Sequence, residues 1–361
     1  MTVGAGYKWY VLALATLTHT LVMGMPNMSL PVLFDEIAAD LDLNLVQIGT
    51  VWGLSSVLGI AVALAGGVIG DRIGAKRALM IACFTAGVTG ALRGFAVDFV
   101  TLAVAVFIAG LAMPMISTNV HKTCGIWFSG RHLALANGSA SMGMALGFML
   151  GSMLAATVFS PLLGGWRNVL FLYAAIAIVI GLFWTFTRPG PADHIRQRRP
   201  ATSRSLMESL SHVVQVRNVW LLGLAMIGIG GCIQGALGYL PLYLRGLGWP
   251  DAAADGALAT FHATSMICTI PIAILSDRLG QRRRVLLVAA SMTMTGIGML
   301  AFVQGIAIWI AIIVAGMVRD GFMAVLMTLI IELKGVGALF AGTATGLILG
   351  CTMFGRVLGP P

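Results

Sequence analysis

The chain has 361 residues, of which 58% are hydrophobic and only 10% are charged, and its mean hydropathy is +0.95. A soluble domain of this length carries far more charge, so the composition excludes an ordinary soluble fold. The formal net charge of +9 comes from cations that cluster between apolar runs, which does not indicate a nucleic-acid partner. The five cysteines are scattered without ligand spacing and predict neither a disulfide framework nor a metal site.

Apolar segments of roughly 20 residues recur along the chain, and each is long enough to cross the hydrocarbon core of a bilayer. The run after Lys8 lacks a small-residue cleavage site, so we expect it to be retained as the first helix. We therefore predict an all-α membrane protein. Its eleven membrane helices, α1 to α11, are expected at about 8–32, 46–69, 78–97, 99–122, 134–160, 167–187, 218–244, 254–275, 284–303, 305–330 and 338–361.

The distribution of cations predicts the orientation of these helices. With the N-terminus in the cytoplasm, the cytoplasmic segments hold 17 of the 22 Lys and Arg residues. The opposite face holds mainly acidic residues, with Arg167 and Arg245 as its only cations. This asymmetry is the positive-inside pattern, so we expect an integral protein of the plasma (inner) membrane with anionic lipids as partners.

A long polar segment divides the helices into six and five. Residues 189–217 carry prolines, arginines and serines and are predicted to form a cytoplasmic linker. The linker separates an N-terminal six-helix bundle, residues 1–188, from a C-terminal bundle, residues 218–361. Within it, Leu206–Val214 is expected to form a short amphipathic helix on the membrane surface.

The two halves share a motif. The sequence GVIGDRIGAKR (67–77) follows α2, and AILSDRLGQRR (273–283) follows α8. Asp71 and Asp277 are 206 residues apart, and so are Gly110 and Gly316. Two pairs of matching residues with the same separation predict two homologous halves, and hence a protein of six plus six helices. The sequence ends before a twelfth helix, and we interpret this end as a truncation rather than a natural fragment.

The doubled motif resembles the signature of the major facilitator superfamily, and Gly67, Asp71, Arg72, Gly74, Lys76 and Arg77 match every position of it. The second copy keeps Asp277, Arg278, Gly280, Arg282 and Arg283, with Ala273 in place of the first glycine. The resemblance implies two six-helix bundles related by a pseudo-two-fold axis around a cavity lined by α1, α4, α7 and α10. It also implies a monomer in which the motif residues gate the cytoplasmic mouth. The alternative interpretation is a loop that only sets topology.

Glycines and one aromatic residue mark departures from well-known branches of the family. Gly143, Gly147 and Gly151 in α5 form a GxxxGxxxG face, which predicts close helix packing rather than antiport. Drug exporters carry an arginine in α4 where this chain has Phe107. The α5 turn from Gly125 to Gly138 resembles that of nitrate- and cyanate-type permeases. Nitrate itself is disfavoured, because nitrate carriers have an arginine in α2 that is absent here.

Polar and ionisable groups inside membrane helices are costly, so each is a candidate functional residue. Arg319 and Asp320 lie near the middle of α10, and their side chains leave the helix about 100° apart, so we expect them not to neutralise each other. Arg319 is interpreted as an anion-binding cation. The alternative is an ion pair of Asp320 with Arg356 or His262, with Arg319 held by carbonyls. The candidate substrate-binding residues are Arg319, Asp320, Arg356, His19, Asn27, Asn119, Gln234 and His262.

Arg93, at the outer end of α3, is expected to anchor that helix through Asp98 or lipid headgroups. The sequence shows no nucleophile–base pair, metal constellation or phosphate loop, so we predict neither an enzyme nor a cofactor. The predicted function is secondary transport of a small organic or inorganic anion by alternating access, coupled through Asp320 or His19 to a proton, or to a sodium ion. The alternatives are proton-coupled efflux of amphipathic cations and a membrane nutrient sensor that moves no solute.

Overall fold

The structure, a computed structural model, describes residues 6–128, 131–188, 206–333 and 335–359. The side chains at 61, 63–72, 131, 134, 206–209, 273, 277, 324, 328, 331, 337–339, 341 and 342 are outside this description. The described chain forms two compact units, Met1–Thr202 and Ser203–Pro361, and each is built only from helices. The predicted all-α fold is confirmed for this part of the chain.

Each of the eleven predicted helices is present. In the first unit they are α1 Tyr7–Leu41, α2 Leu45–Ile73, α3 Ala75–Gly94, α4 Phe99–Trp127, α5 Arg131–Leu154 with its continuations Ala155–Phe159 and Ser160–Leu163, and α6 Trp166–Phe186. In the second unit they are α7 Arg217–Gly246, α8 Asp251–Leu279, α9 Arg282–Met299, α10 Ile306–Glu332 and α11 Gly337–Leu358.

Length and composition qualify most of these helices to cross a membrane. Within the described residues, eight helices are long and apolar enough, and α2 and α11 contain the shorter apolar stretches Leu45–Ile60 and Thr343–Leu358. The remaining helix, α9, has 18 residues that include Arg282, Arg283 and Arg284. These three charges make the start of α9, next to the predicted cytoplasmic loop, less apolar than the rest of the helix.

Local sequence signals fix the helix ends. Asn44 caps α2, because its side chain accepts from the Gln47 N–H while the Gln47 side chain accepts from the Asn44 N–H, both at 2.9 Å. Asp98 and Thr101 form the same capping box at the start of α4. Gly280 ends α8 with φ +62°, a left-handed conformation that glycine adopts without steric cost.

Glycines bring the first and fifth helices of each unit into backbone contact. Gly147 of α5 lies against Thr20 and Gly24 of α1, and an added Cβ would overlap the backbone of both. In the second unit, Gly355 of α11 lies against Ile227 of α7 with equally little space. Close packing along the α5 glycine face, as predicted from the sequence, is confirmed.

The internal repeat is visible in the packing. Gly110 of α4 contacts the backbone carbonyl of Ser55 in α2, and Gly316 of α10 contacts that of Phe261 in α8. Ser55 and Phe261 are separated by 206 residues, the same offset as Gly110 and Gly316. One helix–helix contact therefore occurs at the same register in both units, as expected of two copies of one ancestral bundle.

The described end of the predicted linker contains the expected short helix, Leu206–Val214. His212 Nε2 donates a 2.8 Å hydrogen bond to the Gly335 carbonyl, because a carbonyl oxygen can only accept. Val213 is fully buried, and the Trp220 indole donates to the Val214 carbonyl at 2.7 Å. The linker helix therefore packs against the ends of α10 and α11 through specific contacts.

Candidate functional site

The middle of α10 carries an ion pair. Arg319 Nη1 donates to Asp320 Oδ1 at 2.9 Å, and both side chains are largely buried. The expectation that these neighbours would not neutralise each other was wrong. The Arg319 side chain is long and flexible, so its guanidinium reaches around the helix surface to the Asp320 carboxylate, although the two Cβ atoms point in different directions.

Two more of the predicted residues join this pair. His262 of α8 and Arg356 of α11 each lie within electrostatic range of Arg319, and His262 is completely buried. The structure therefore gathers four predicted residues from three helices, and we call Arg319, Asp320, His262 and Arg356 the α10 cluster.

Ser265 is a member of the site that the sequence analysis missed. Its hydroxyl oxygen accepts a 3.1 Å hydrogen bond from the Asp320 backbone N–H and is fully buried. Ser265 lies three residues after His262 on α8, so the two share one helix face. This spacing was the available signal, but an isolated serine in an apolar helix usually bonds to its own backbone.

Further ion pairs of the second unit lie near the ends of its helices. Arg245 contacts Asp251 at 2.8 Å and Asp255 at 2.7 Å, where α7 meets α8. Arg282 contacts Glu332 at 2.9 Å, which links the start of α9 to the end of α10. The α10 cluster thus holds two arginines against the single carboxylate of Asp320, and this gives it an excess positive charge.

His19 occupies a buried polar site in the first unit. It lies in a π-helical segment of α1, Thr18–Gly24, and its Nδ1 is 2.9 Å from the Ala140 carbonyl of α5. A carbonyl only accepts, so Nδ1 carries the proton, while Nε2 has no hydrogen-bond partner among the described residues. The ring is 5.4 Å from that of His121, whose Nδ1 is 3.0 Å from Asn137 Oδ1. The sequence analysis missed His121.

The other predicted polar candidates of the first unit bond to groups inside that unit. Asn27 Nδ2 donates to Met113 Sδ at 3.4 Å, and Asn119 Nδ2 donates to the Met115 carbonyl at 2.8 Å. Gln234 is buried on α7. Their role in binding a substrate stays a prediction.

The gating motif is described only in part. Gly67, Asp71, Arg72 and Asp277 lie on helices, but their side chains are outside the description. Gly74 has φ +86° between α2 and α3, as its position in a tight turn requires. Lys76 is half-buried, and Arg77, Arg278 and Arg283 are exposed. The gate itself stays a prediction.

Arg93 is not paired with Asp98 in the described structure, and its anchoring by lipid headgroups stays a prediction. Asp98 binds the backbone N–H and hydroxyl of Thr101 at 2.8 and 2.7 Å, and no described ion pair joins it to Arg93. The guanidinium instead lines a cavity inside the first unit and is only 9% exposed. The sequence predicts that Arg93 lies near the outer end of α3, but it does not specify the face of the helix on which the side chain lies.

Comparison with known proteins places these features in a family. The Major Facilitator Superfamily profile matches residues 12–360. The chain is 27% identical over 286 residues to the probable nitrate/nitrite antiporter NarK1 of Thermus thermophilus, covering 76% of this chain and 62% of that protein. It thus spans less than two thirds of that relative's length. It is 23% identical to the cis,cis-muconate transport protein of Acinetobacter baylyi, covering 76% of this chain and 68% of the relative.

A third relative, the 3-(3-hydroxy-phenyl)propionate transporter of Escherichia coli, is 23% identical over 89% of this chain and 80% of its own length. Among solved structures, a bacterial homologue of the human lysosomal transporter Spinster superposes with a TM-score of 0.78 at 18% identity, covering 99% of this chain and 82% of the other. The nucleoside transporter NupG gives 0.80 at 13% identity, covering 97% and 90%. These two similarities concern the fold. The repeated motif, the paired glycine contacts and the matching profile together show that the chain belongs to the major facilitator superfamily.

Proposed function

We propose that the chain is a secondary transporter of small organic or inorganic anions that works by alternating access. The observation that carries this proposal is the α10 cluster, in which the ion pair of Arg319 and Asp320 lies within electrostatic range of a second arginine, Arg356. Buried charge in a membrane helix is costly and is kept where it binds a solute or an ion. An arginine offers a planar fork of donors that suits carboxylates and small oxyanions.

The names of the three relatives support the same substrate class. Nitrate and nitrite are inorganic oxyanions, and muconate and hydroxyphenylpropionate are anions at neutral pH because carboxylic acids ionise near pH 4. Identities of 23–27% do not carry a particular substrate to this chain. Since α2 lacks the arginine of nitrate carriers, we expect organic carboxylates to be better substrates than nitrate.

The ion pair suggests how binding and release could be coupled. Asp320 neutralises Arg319 in the structure, and an anion would compete with that carboxylate for the guanidinium. Protonation of Asp320 would release Arg319 to the anion and would bring one proton with each anion. The excess positive charge of the cluster disfavours the alternative, export of amphipathic cations.

Reconstituted protein tests the proposal. Uptake of labelled nitrate, formate, benzoate and muconate into liposomes is compared with uptake of a cationic dye, for the wild type, Arg319→Gln and Arg319→Lys. We expect anion uptake by the wild type, at least a tenfold loss in Arg319→Gln and partial activity in Arg319→Lys. The exposed Arg284 provides a matched control, and Arg284→Gln is expected to transport normally. Dye transport without anion transport, or full activity of Arg319→Gln, would refute the proposal.

A further inference from the structure

A second polar site lies inside the first unit. Residues of α1, α2, α3, α4 and α6 enclose a cavity of about 50 Å³ whose lining includes Arg93, Tyr173, Thr89, Ser55 and Asn27. These residues belong to the half of the bundle opposite the motif at 67–77. A volume of this size holds a few water molecules or one small ion.

Arg93 lacks a protein counter-charge in this cavity. Its Nε is buried without a hydrogen-bond partner, and no ion pair of Arg93 occurs among the described residues. An arginine side chain stays protonated in proteins. A buried charge without compensation costs several kcal/mol, typically about 3–5 when a partner is removed. A bound ligand of opposite charge would remove this cost.

The carboxylates among the described side chains of the unit lie elsewhere. Asp40 pairs with Arg167 and with the Trp166 indole, while Glu36 accepts from Ser160 at 2.5 Å. Asp35 and Asp42 are exposed. Asp71 lies 16 positions beyond the cavity residue Ser55 on α2, which is about 24 Å along a helix.

The cavity also offers a neutral donor. Tyr173 Oη is buried with no hydrogen-bond partner of acceptable geometry, although Ser29 lies near it. Thr89 and Ser55 already donate to carbonyls of their own helices, Thr85 and Trp52. Gly90 packs against Ala174, with an added Cβ at 3.4 Å from the Ala174 Cβ, so α3 and α6 are close where Arg93 and Tyr173 line the cavity.

We propose that this cavity is a binding site for one small monovalent anion, such as chloride, nitrate or formate, with Arg93 as its charge partner and Tyr173 as a second donor. The cavity has room for roughly one to four heavy atoms, so benzoate and larger carboxylates are excluded by size. The site differs from the α10 cluster in its helices and residues. Bound anion stabilises the N-terminal bundle by cancelling the charge of Arg93.

Thermal unfolding of purified protein in an uncharged detergent tests this site. The reference protein carries Arg319→Gln and Arg356→Gln, which removes the arginines of the α10 cluster. It is exchanged into gluconate, and Tm is measured as chloride, nitrate, formate or benzoate replaces gluconate at constant ionic strength. We expect a saturable rise in Tm with the three small anions and none with benzoate. Addition of Arg93→Gln should abolish the rise, while addition of Arg188→Gln, at an exposed arginine of the same unit, should leave it.

A milder variant keeps the test decisive if Arg93→Gln does not fold. Tyr173→Phe removes one hydroxyl and should weaken the small-anion response about three- to tenfold in apparent Kd, which is about 0.7–1.4 kcal/mol. Bromide provides a direct view, since its anomalous signal in a crystal should appear beside Arg93. An unchanged response in Arg93→Gln and Tyr173→Phe, an absent response in the reference protein, or an equal response to benzoate would each overturn the proposal.

Discussion

Arg319 shows how far a single residue can be interpreted from its position in a helix. The sequence places it at membrane depth beside Asp320, and this was enough to select both as candidates. Helix geometry gave the directions in which the two Cβ atoms point, but not the path of a guanidinium on a flexible stem. The observed 2.9 Å contact therefore required side-chain coordinates.

The same limit explains Ser265, His121 and Arg93. The importance of each depends on what the neighbouring helix presents. Ser265 contacts Asp320 from α8, and His121 contacts His19 from α4. Such contacts between residues distant in sequence are set by the packing of the helices. A single sequence does not specify that packing.

His19 leads to a prediction at this scale. Asn in its place keeps an N–H donor close to the position of Nδ1, for the Ala140 carbonyl, but it cannot titrate. If His19 couples anion movement to protons, His19→Asn should retain exchange of anion between two sides of a liposome. Accumulation driven by a pH gradient should fall to the level seen without the gradient. The exposed His132 supplies the control, as His132→Asn should accumulate anion normally. Undiminished accumulation by His19→Asn would assign coupling elsewhere.

At the scale of the helix, the glycine contacts are the features that the sequence predicted most directly. A GxxxGxxxG face has one simple physical meaning, which is that another backbone comes close. The sequence did not identify α1 as the neighbour of α5 from these glycines alone. That assignment came from the contacts of Gly143, Gly147 and Gly151 with Thr20, Gly24 and Met25.

Two glycines of α5 offer a matched pair of substitutions. In Gly147→Ala the new methyl group overlaps the backbone of Thr20, so the helices must separate, and we expect a loss of about 1–3 kcal/mol. Gly138 has open space where its Cβ would lie, so Gly138→Ala should be neutral or stabilise by up to about 1 kcal/mol. Thermal unfolding in detergent measures both. Equal destabilisation by the two variants would contradict the packing described for α1 and α5.

The capping box of α4 predicts a pH dependence. Hydrogen bonds from the Thr101 N–H and hydroxyl lower the pKa of Asp98 below its ordinary value of 3.8, so the folded state favours the carboxylate. This stabilisation is fully present above pH 3.8 and is lost as the pH falls through the lower folded pKa. Asp98→Asn keeps a capping oxygen but does not titrate. The Tm advantage of the wild type over Asp98→Asn should therefore shrink below pH 4, and a constant difference from pH 7 to pH 3 would contradict it.

At the scale of the whole molecule, the eleven helices of the described chain and its internal repeat could be predicted because both depend on sequence patterns longer than any single contact. Long apolar runs indicate that lipid surrounds a helix. A fixed offset of 206 residues between matching positions indicates duplication. The direction in which the helices cross the membrane rests on cation counts alone, and it stays a prediction.

Cysteine labelling tests that orientation. The five native cysteines are first replaced by serine or alanine, and single cysteines are then placed at Val97 and Gln281. Val97 is 74% exposed between α3 and α4, on the side assigned to the exterior, and Gln281 is exposed between α8 and α9, on the cytoplasmic side. A membrane-impermeant maleimide should label Val97→Cys in intact cells and Gln281→Cys only after permeabilisation. The reverse pattern would invert the topology.

The two equivalent glycine contacts have a consequence for how such a protein acquires a new cargo. Gly110 and Gly316 hold their helices at the same height against Ser55 and Phe261. The third and fourth residues after each glycine are Met113 and Pro114 in one copy and Arg319 and Asp320 in the other. Duplication thus yields two bundles with the same glycine contact. Substitutions three and four residues after each glycine change the polarity of the helix, while the contact itself is kept. One copy can keep uncharged residues at these positions while the other acquires charged ones, so a new solute can be bound without a change of fold.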